Sequence, residues 1–239
     1  MLRNALRYLV EDISPVKTLE VFGEKFADRP MHRISYNPKA DPIAMNTLSS
    51  LVAYIKAEVD KRYGKMVLHV TSPTRVVFYS SLDDERKREY TAEAVAQVPD
   101  FRFGHFYDHE SFCIGLQSKF VDDPHTDRAL LLKFAGTAVS GTLAEYGDDG
   151  ISQKASIKTG IASKGEAIVP NPVVLKPFRT FIEVEQPASH FIFRMKDHGG
   201  IQCALFEADG GAWKLKAMDG IHRYLEEALK GIEDIVVIS

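Results

Sequence analysis

Leu48, Leu51, Val52, Ile55 and Val59 recur in steps of three and four, the spacing that lays one apolar stripe along an α-helix. Asn46 or Thr47 can cap its start, and Gly64 stands where a left-handed C-terminal cap would fall. The next residues, KMVLHVTSPTRVVFYSS, switch to β-branched and aromatic runs broken at Ser72-Pro73-Thr74. That pattern predicts two strands joined by a tight turn. A helix running straight into a hairpin, with no linker between them, is the mark of an α+β unit.

The pattern continues on both sides. Leu2, Leu6, Leu9 and Val10 fit a short amphipathic helix, and TLEVFGEKFADRPMHRISY gives two extended runs turning at Gly23-Glu24. NPKADP carries two prolines and reads as a loop, while LDDERKREY alternates its charges like a solvated turn or helix start. Glu110–Phe120 fits a helix. RALLLKF suits a buried strand and a buried helix equally. From Thr137 the chain turns β-rich. VSGTLAEYGDDGISQKASIKTG predicts a long hairpin turning at Gly147–Gly150, its second arm alternating Ile151, Gln153, Ala155 and Ile157 against Ser152, Lys154, Ser156 and Lys158. IQCALFEADGG and AWKLKAM are expected as further strands. Asp219 then caps a last helix bearing Ile221, Tyr224, Leu225 and Leu229, and IEDIVVIS closes the chain as a strand. The prediction is an α+β fold, antiparallel and β-rich, with flanking amphipathic helices. No repeat or linker divides it, so residues 1–239 read as a single domain, or as two packed halves, 1–123 and 137–239.

The segment FRTFIEVEQPASHFIFR places arginines, glutamates and a histidine among large apolar residues. Folded as a hairpin of Phe178–Glu185 against His190–Lys196, it sets Val184 opposite Phe191, Ile182 opposite Phe193 and Thr180 opposite Met195 on a core side. The other side carries Arg179, Phe181, Glu183, Glu185, His190, Ile192, Arg194 and Lys196. A following turn at DHGG brings Glu207 to the flank of His190, with Cys203 and Leu205 on the same face. A solvated sheet face explains most of these charges. The mixture of Phe181, Ile192, Arg179 and Arg194 also has the composition of a protein–protein interface, and these four are the interface candidates.

The chain has 239 residues, 45% hydrophobic and 26% charged, with a net charge of −3. No global field would draw it to nucleic acid or an anionic membrane. Cys113 and Cys203 are too few for a disulfide framework or a four-cysteine zinc site, so reduced thiols in a cytoplasmic protein are expected. No stretch has the apolar length of a membrane span, and no secretory signal is expected at the start.

Walker, dinucleotide-binding, HExxH and GxSxG signatures are missing, which favours a protein that is not an enzyme and needs no cofactor. One metal reading stands against that. His105, His109 and His125 lie close in sequence among Asp108, Glu110, Asp122, Asp123 and Asp127, donors suited to zinc or another divalent ion. Asp108 and Asp122 or Asp123 also have ordinary helix-capping work available. The aromatics of FRFGHFYD, interleaved with Arg102 and His105, could form a stacking platform for single-stranded nucleic acid. The acidic charge balance and the want of a second basic–aromatic element weigh against nucleic acid as a partner.

Several segments together, LSSLVAYIK, VTSPTRVVFYS, FRFGHFYDHESFCIGLQSKFVDD, GDDGISQKASIKTG, VPNPVVLKPFRTFIEVEQPASHFIFRMK and LFEADGGAWKLKA, span most of Leu48 to Ala217. In these the chain resembles the YfdQ-like proteins of phages and prophages, most closely versions carried by phages of Gram-positive bacteria. Prophage members differ in carrying tryptophans where this chain has TDRALLLKFAGTA. The family has no established activity, so the resemblance implies a phage origin and a host-cytoplasmic setting and transfers no functional residue. The resulting expectation is a non-catalytic phage accessory protein, alongside phage replication or recombination, that forms a homo-oligomer or binds a phage or host protein. The alternatives are a metal-dependent enzyme built on His105, His109 and His125, and a virion structural protein.

Overall fold

A computed structural model describes residues 2–8, 16–28, 39–62, 64–137, 147–148, 153–158, 164–169, 171–197 and 199–239. The chain forms two compact units, Met1–Ala40 and Asp41–Ser239. The fold is α+β with mostly antiparallel sheets. Among the described residues no helix is long and apolar enough to cross a membrane.

The first unit holds helix α1 (Leu2–Tyr8) and a hairpin of β1 (Thr18–Val21) and β2 (Glu24–Ala27). Its turn is Phe22-Gly23, one residue earlier than expected, with φ of 53° and 83°. Positive φ at both central residues is what a two-residue hairpin turn with the strands' own twist demands. Leu19 pairs with Phe26 and Val21 with Glu24, so these four side chains share one face. Thr18, Glu20, Lys25 and Ala27 share the other. Leu9, Val10 and residues 29–38 lie outside the described residues.

In the second unit, Thr47 caps α2 (Leu48–Ala57), its hydroxyl accepting from the Ser50 N–H at 3.1 Å. The helix ends at Glu58, left-handed at φ 49°, well before Gly64. Arg62 does the work assigned to that glycine: its Nη1 donates to the Ile55 carbonyl at 2.6 Å, while Nη2 and Nε hold Glu58 and Asp234. Because the helix stops early, Val59 leaves the apolar stripe and is exposed.

Strands β3 (Ile43–Met45), β4 (Met66–Ser72), β5 (Arg75–Ser80) and β6 (Tyr90–Val95) join the C-terminal β14 (Ile235–Ile238) in one sheet ordered β14-β4-β5-β6-β3. Its centre is antiparallel, with the turn at Pro73-Thr74 as expected, and the edge strands β3 and β14 run parallel to their neighbours. The sequence reading assigned nothing to β6, whose core positions Ala92 and Ala94 are too small to stand out as an apolar run. Leu48, Leu51 and Ile55 of α2 pack with Leu68, Phe78, Ile221 and Leu225 in a first core.

A second core lies under α3 (His109–Lys119) and α4 (Arg128–Thr137), which is how RALLLKF folds. They cover the sheet β11-β12-β13-β7, made of Val173–Leu175, Ser189–Asp197, Ile201–Glu207 and Tyr107–Asp108. Asp108 caps α3, accepting from Ser111 N–H at 2.9 Å. Both larger sheets take strands from each side of residues 124–136. A three-stranded sheet of β8 (Gly147–Asp148), β9 (Gln153–Lys158) and β10 (Lys164–Val169) completes the described strands. Gly147 and Asp148 are paired with Lys154 and Gln153, and residues 149–152 lie outside the described residues. The expected first arm, residues 139–146, lies outside the described residues.

Two segments fold otherwise than expected. AWKLKAM is not a strand but the start of α5 (Ala212–Ala228). Its alternating polar residues mimic period two, while Ala217, Ile221 and Leu225 keep the helical period and are the ones buried. Asp219 is therefore mid-helix and pairs with Arg223. The other is Phe178–Ala188, which forms no strand at all.

Gln186 explains that departure. Its Oε1 accepts from the N–H groups of Arg179 (2.9 Å) and Thr180 (3.2 Å), and its Nε2 donates to the carbonyls of Phe181 (3.0 Å) and Val184 (3.4 Å). One buried amide satisfies four backbone groups that a sheet ladder would otherwise have to satisfy. Freed from pairing, the loop sends Phe181 and Val184 into the first core. β11 takes the place beside β12 that the loop was expected to fill.

Candidate functional site

An open cleft of about 520 Å³ lies where the Val98–Phe103 segment, the end of α3, Pro177–Arg179 and the first turn of α5 come together. Its rings are held in place from beneath. Gly104, at φ 76°, reverses the chain and donates to the Leu205 carbonyl at 2.7 Å, tying the segment to β13. Phe101 stacks on Tyr107 (5.0 Å) and meets Phe103 (5.2 Å), and Phe103 stacks on Phe191 of β12 (5.0 Å). The Arg179 guanidinium sits 5.6 Å from the Phe191 ring and 3.9 Å from that of Trp213. One run of ring contacts therefore extends Tyr107–Phe101–Phe103–Phe191–Arg179–Trp213.

Arg179 is only 7% exposed. Its Nη1 donates to Glu207 at 2.8 Å, and its Nη2 bonds Ser189 Oγ and lies 4.0 Å from Asp209. Burial pulls its pKa down to about 10 against the pull of Glu207 and Asp209, which leaves it cationic at neutral pH. Burial works against the charge on Asp209 too. Hydrogen bonds from Ser189 and from the Gly211 and Trp213 N–H groups, with the Arg179 charge, outweigh it and hold that carboxyl below the usual range. Asp209 thereby closes the N-terminus of α5, whose own cap position, Gly211, has no side chain to offer. Arg179 Nε and Trp213 Nε1 are buried N–H groups with no hydrogen-bond partner among the described residues. The arrangement is a rigid aromatic and cationic wall, its carboxylates already engaged.

The four interface candidates are not on one face. Phe181 is 1% exposed in the first core, and Arg179 is buried behind Trp213. Ile192 and Arg194 do lie on the outer face of β12, half-buried, opposite Phe206 and Ala204. The β12–β13 hairpin turns where expected, but its register sets Glu207 opposite Phe191 and not beside His190. That single-residue difference moves Cys203 and Leu205 to the core face. The Glu185–His190–Glu207 row does not form: Glu207 holds Arg179, and Glu185 holds Lys176.

The three histidines of the metal reading stand in separate surroundings. His109 Nε2 lies 2.7 Å from the Ala135 carbonyl, so its ring joins α3 to α4. His105 stands edge-on to Tyr107 on the surface, and His125 is exposed in a turn whose backbone N–H bonds Asp123. Asp123 pairs with Lys176, and Asp122 with Arg128, whose Nε and Nη2 cap the α3 carbonyls of Leu116 and Gln117. Among the described residues no group of three or more His, Cys, Asp or Glu side chains is placed to hold a metal ion. Sequence reasoning missed Trp213, Asp209 and Gln186. A strand assignment hid the first, and nothing local marks the other two. No protein-family model, curated protein or solved structure matches this chain, so its site is read from its own residues alone.

Proposed function

We propose that the chain is a phage-encoded accessory protein of the host cytoplasm that acts by binding or self-assembly rather than by catalysis. The observation that carries this reading is the β1–β2 hairpin. Leu19, Val21 and Phe26 share one face with Glu24 and are 65%, 39% and 52% exposed, while Glu20 and Lys25 occupy the other. A two-stranded hairpin with such short arms is marginal in water by itself, and covering its apolar row contributes about 25 cal/mol for each Å² removed from water. A second copy offers the same row about a two-fold axis, which closes the assembly without leaving a free end. The phage setting rests on the resemblance of the segments quoted above to the YfdQ-like proteins.

Native mass spectrometry of the full chain tests it, with a Leu19→Asp/Phe26→Asp double variant. The expected result is an oligomer that the variant reduces to smaller species with its circular dichroism unchanged. A wild-type chain that stays monomeric across concentration, with a variant of identical mass and melting temperature, refutes self-assembly through this face.

A further inference from the structure

Aromatic residues from three stretches far apart in the chain meet at the cleft: Phe101 and Phe103, Phe178 beside Arg179, and Trp213 beside Lys214. Lys119 joins them from the end of α3, its Nζ also donating to the Asp100 carbonyl. We propose that this cleft binds single-stranded nucleic acid, stacking bases on its aromatic wall and meeting phosphates with Lys119 and Lys214. This site lies in the second unit and is independent of the hairpin face proposed above.

The chemistry selects the ligand. Half-buried Phe101, Phe103, Phe178 and Trp213 offer planar π surface at the cleft, and every base has a π face to match it. An apolar ligand would leave Lys214 without a role, and a bare anion would leave the rings without one. Arg179 is nine-tenths buried and fixed between Phe191 and Trp213, so the wall is rigid before anything binds. Two acids also line the cleft, and the buried Arg179 holds one of them. Glu207 is bound by Arg179, and the Asp100 carboxylate lies 4.0 Å from Arg102 Nε. Lys214, by contrast, has no ion-pair partner among the described residues. A cleft of about 520 Å³ is in the range of ligand pockets and holds roughly one or two nucleotides. It does not admit a duplex, whose bases are stacked inside.

Trp213 is the only tryptophan in the chain, so its emission reports on this cleft alone. The experiment titrates the full-length protein at low salt with fluorescein-labelled oligothymidylate of about twelve nucleotides, following anisotropy, and with the unlabelled strand, following Trp213 emission. Duplex of the same length and thymidine monophosphate are the comparison probes. Expected are a rise in anisotropy, quenching of Trp213, and a log K against log salt slope of about −1.4 for two neutralised phosphates. Lys214→Gln should lower that slope to about −0.7, and Lys214→Glu should weaken binding on the order of tenfold. Lys214 is exposed, and an unchanged melting temperature confirms that neither variant perturbs the fold. The proposal is overturned by unaltered Trp213 emission, by strand binding that Lys214→Glu leaves intact, or by equal binding of duplex. Quenching by the mononucleotide at the same concentrations overturns it in favour of a free nucleotide.

Discussion

Replacing Gln186 with methionine keeps the length and bulk of the side chain and removes all four of its hydrogen bonds. Gln186 is 5% exposed, so water does not take the place of the lost partner. The two N–H groups of Arg179 and Thr180 would be stranded, each costing about 1–3 kcal/mol. The two carbonyls cost less, since one contact is long at 3.4 Å and an acceptor keeps a second lone pair. Counting the N–H groups alone, Gln186→Met should destabilise by about 2–6 kcal/mol, a large part of the roughly 5–15 kcal/mol available to a domain. The damage should be felt on both sides of the loop, because Phe181 is anchored in one core and Arg179 braces Trp213 against the other sheet. Urea unfolding read by far-ultraviolet circular dichroism gives the loss, and native-state Trp213 emission shows whether the brace has loosened. Ile182→Ala, in the same loop but 79% exposed, is the control and should stay within about 0.5 kcal/mol of wild type. A loss below about 1 kcal/mol with unchanged Trp213 emission would refute the account of Gln186 as the loop's organiser.

Asp209 has a folded pKa below its usual value, so its contribution is present above the unfolded carboxylate value near 3.9 and is lost as pH falls through the folded value. Acid titration of the melting temperature should therefore show less acid sensitivity in Asp209→Asn, and an identical pH profile would remove Asp209 from that role. A Cβ on Gly115 would lie 3.0 Å from the Phe101 ring. Gly115→Ala gains helix propensity yet crowds that ring, and Gly115→Val should cost about 1–3 kcal/mol from overpacking and disturb Trp213 emission through the ring run. A Gly115→Val chain as stable as wild type would show that the Phe101 segment yields freely.

What could be read from the sequence was whatever a few consecutive residues decide. Thr47 and Asp108 cap the helices that follow them, because a cap needs only its own hydroxyl or carboxylate and an N–H three residues on. The β4–β5 turn at Pro73-Thr74 was legible for the same reason. The segment 178–188 was not, because its alternation of large and charged residues is a valid strand pattern. What keeps it out of the sheet is one distant-acting amide, Gln186, together with β11, which comes from before the segment and takes the place beside β12. No periodicity encodes either fact.

The cleft was hidden by a different mechanism. Net charge and run composition average over the chain, and an excess of three acids says nothing about where Lys119, Arg179 and Lys214 end up. The sequence argument against a nucleic-acid surface rested on the want of a second basic–aromatic element beside Phe101-Arg102-Phe103. Two such elements were present as single dipeptides, Phe178-Arg179 and Trp213-Lys214, each too short to register against the background of ordinary half-buried aromatics. Their significance arises only from convergence, and convergence here depends on two irregular features: the loop held by Gln186 and the uncapped first turn of α5 closed by Asp209. Both are places where local pattern gives way to a single side chain supplying what regular structure would have supplied. Breaking either one should loosen the aromatic wall. The proposed binding of single-stranded nucleic acid would weaken with it.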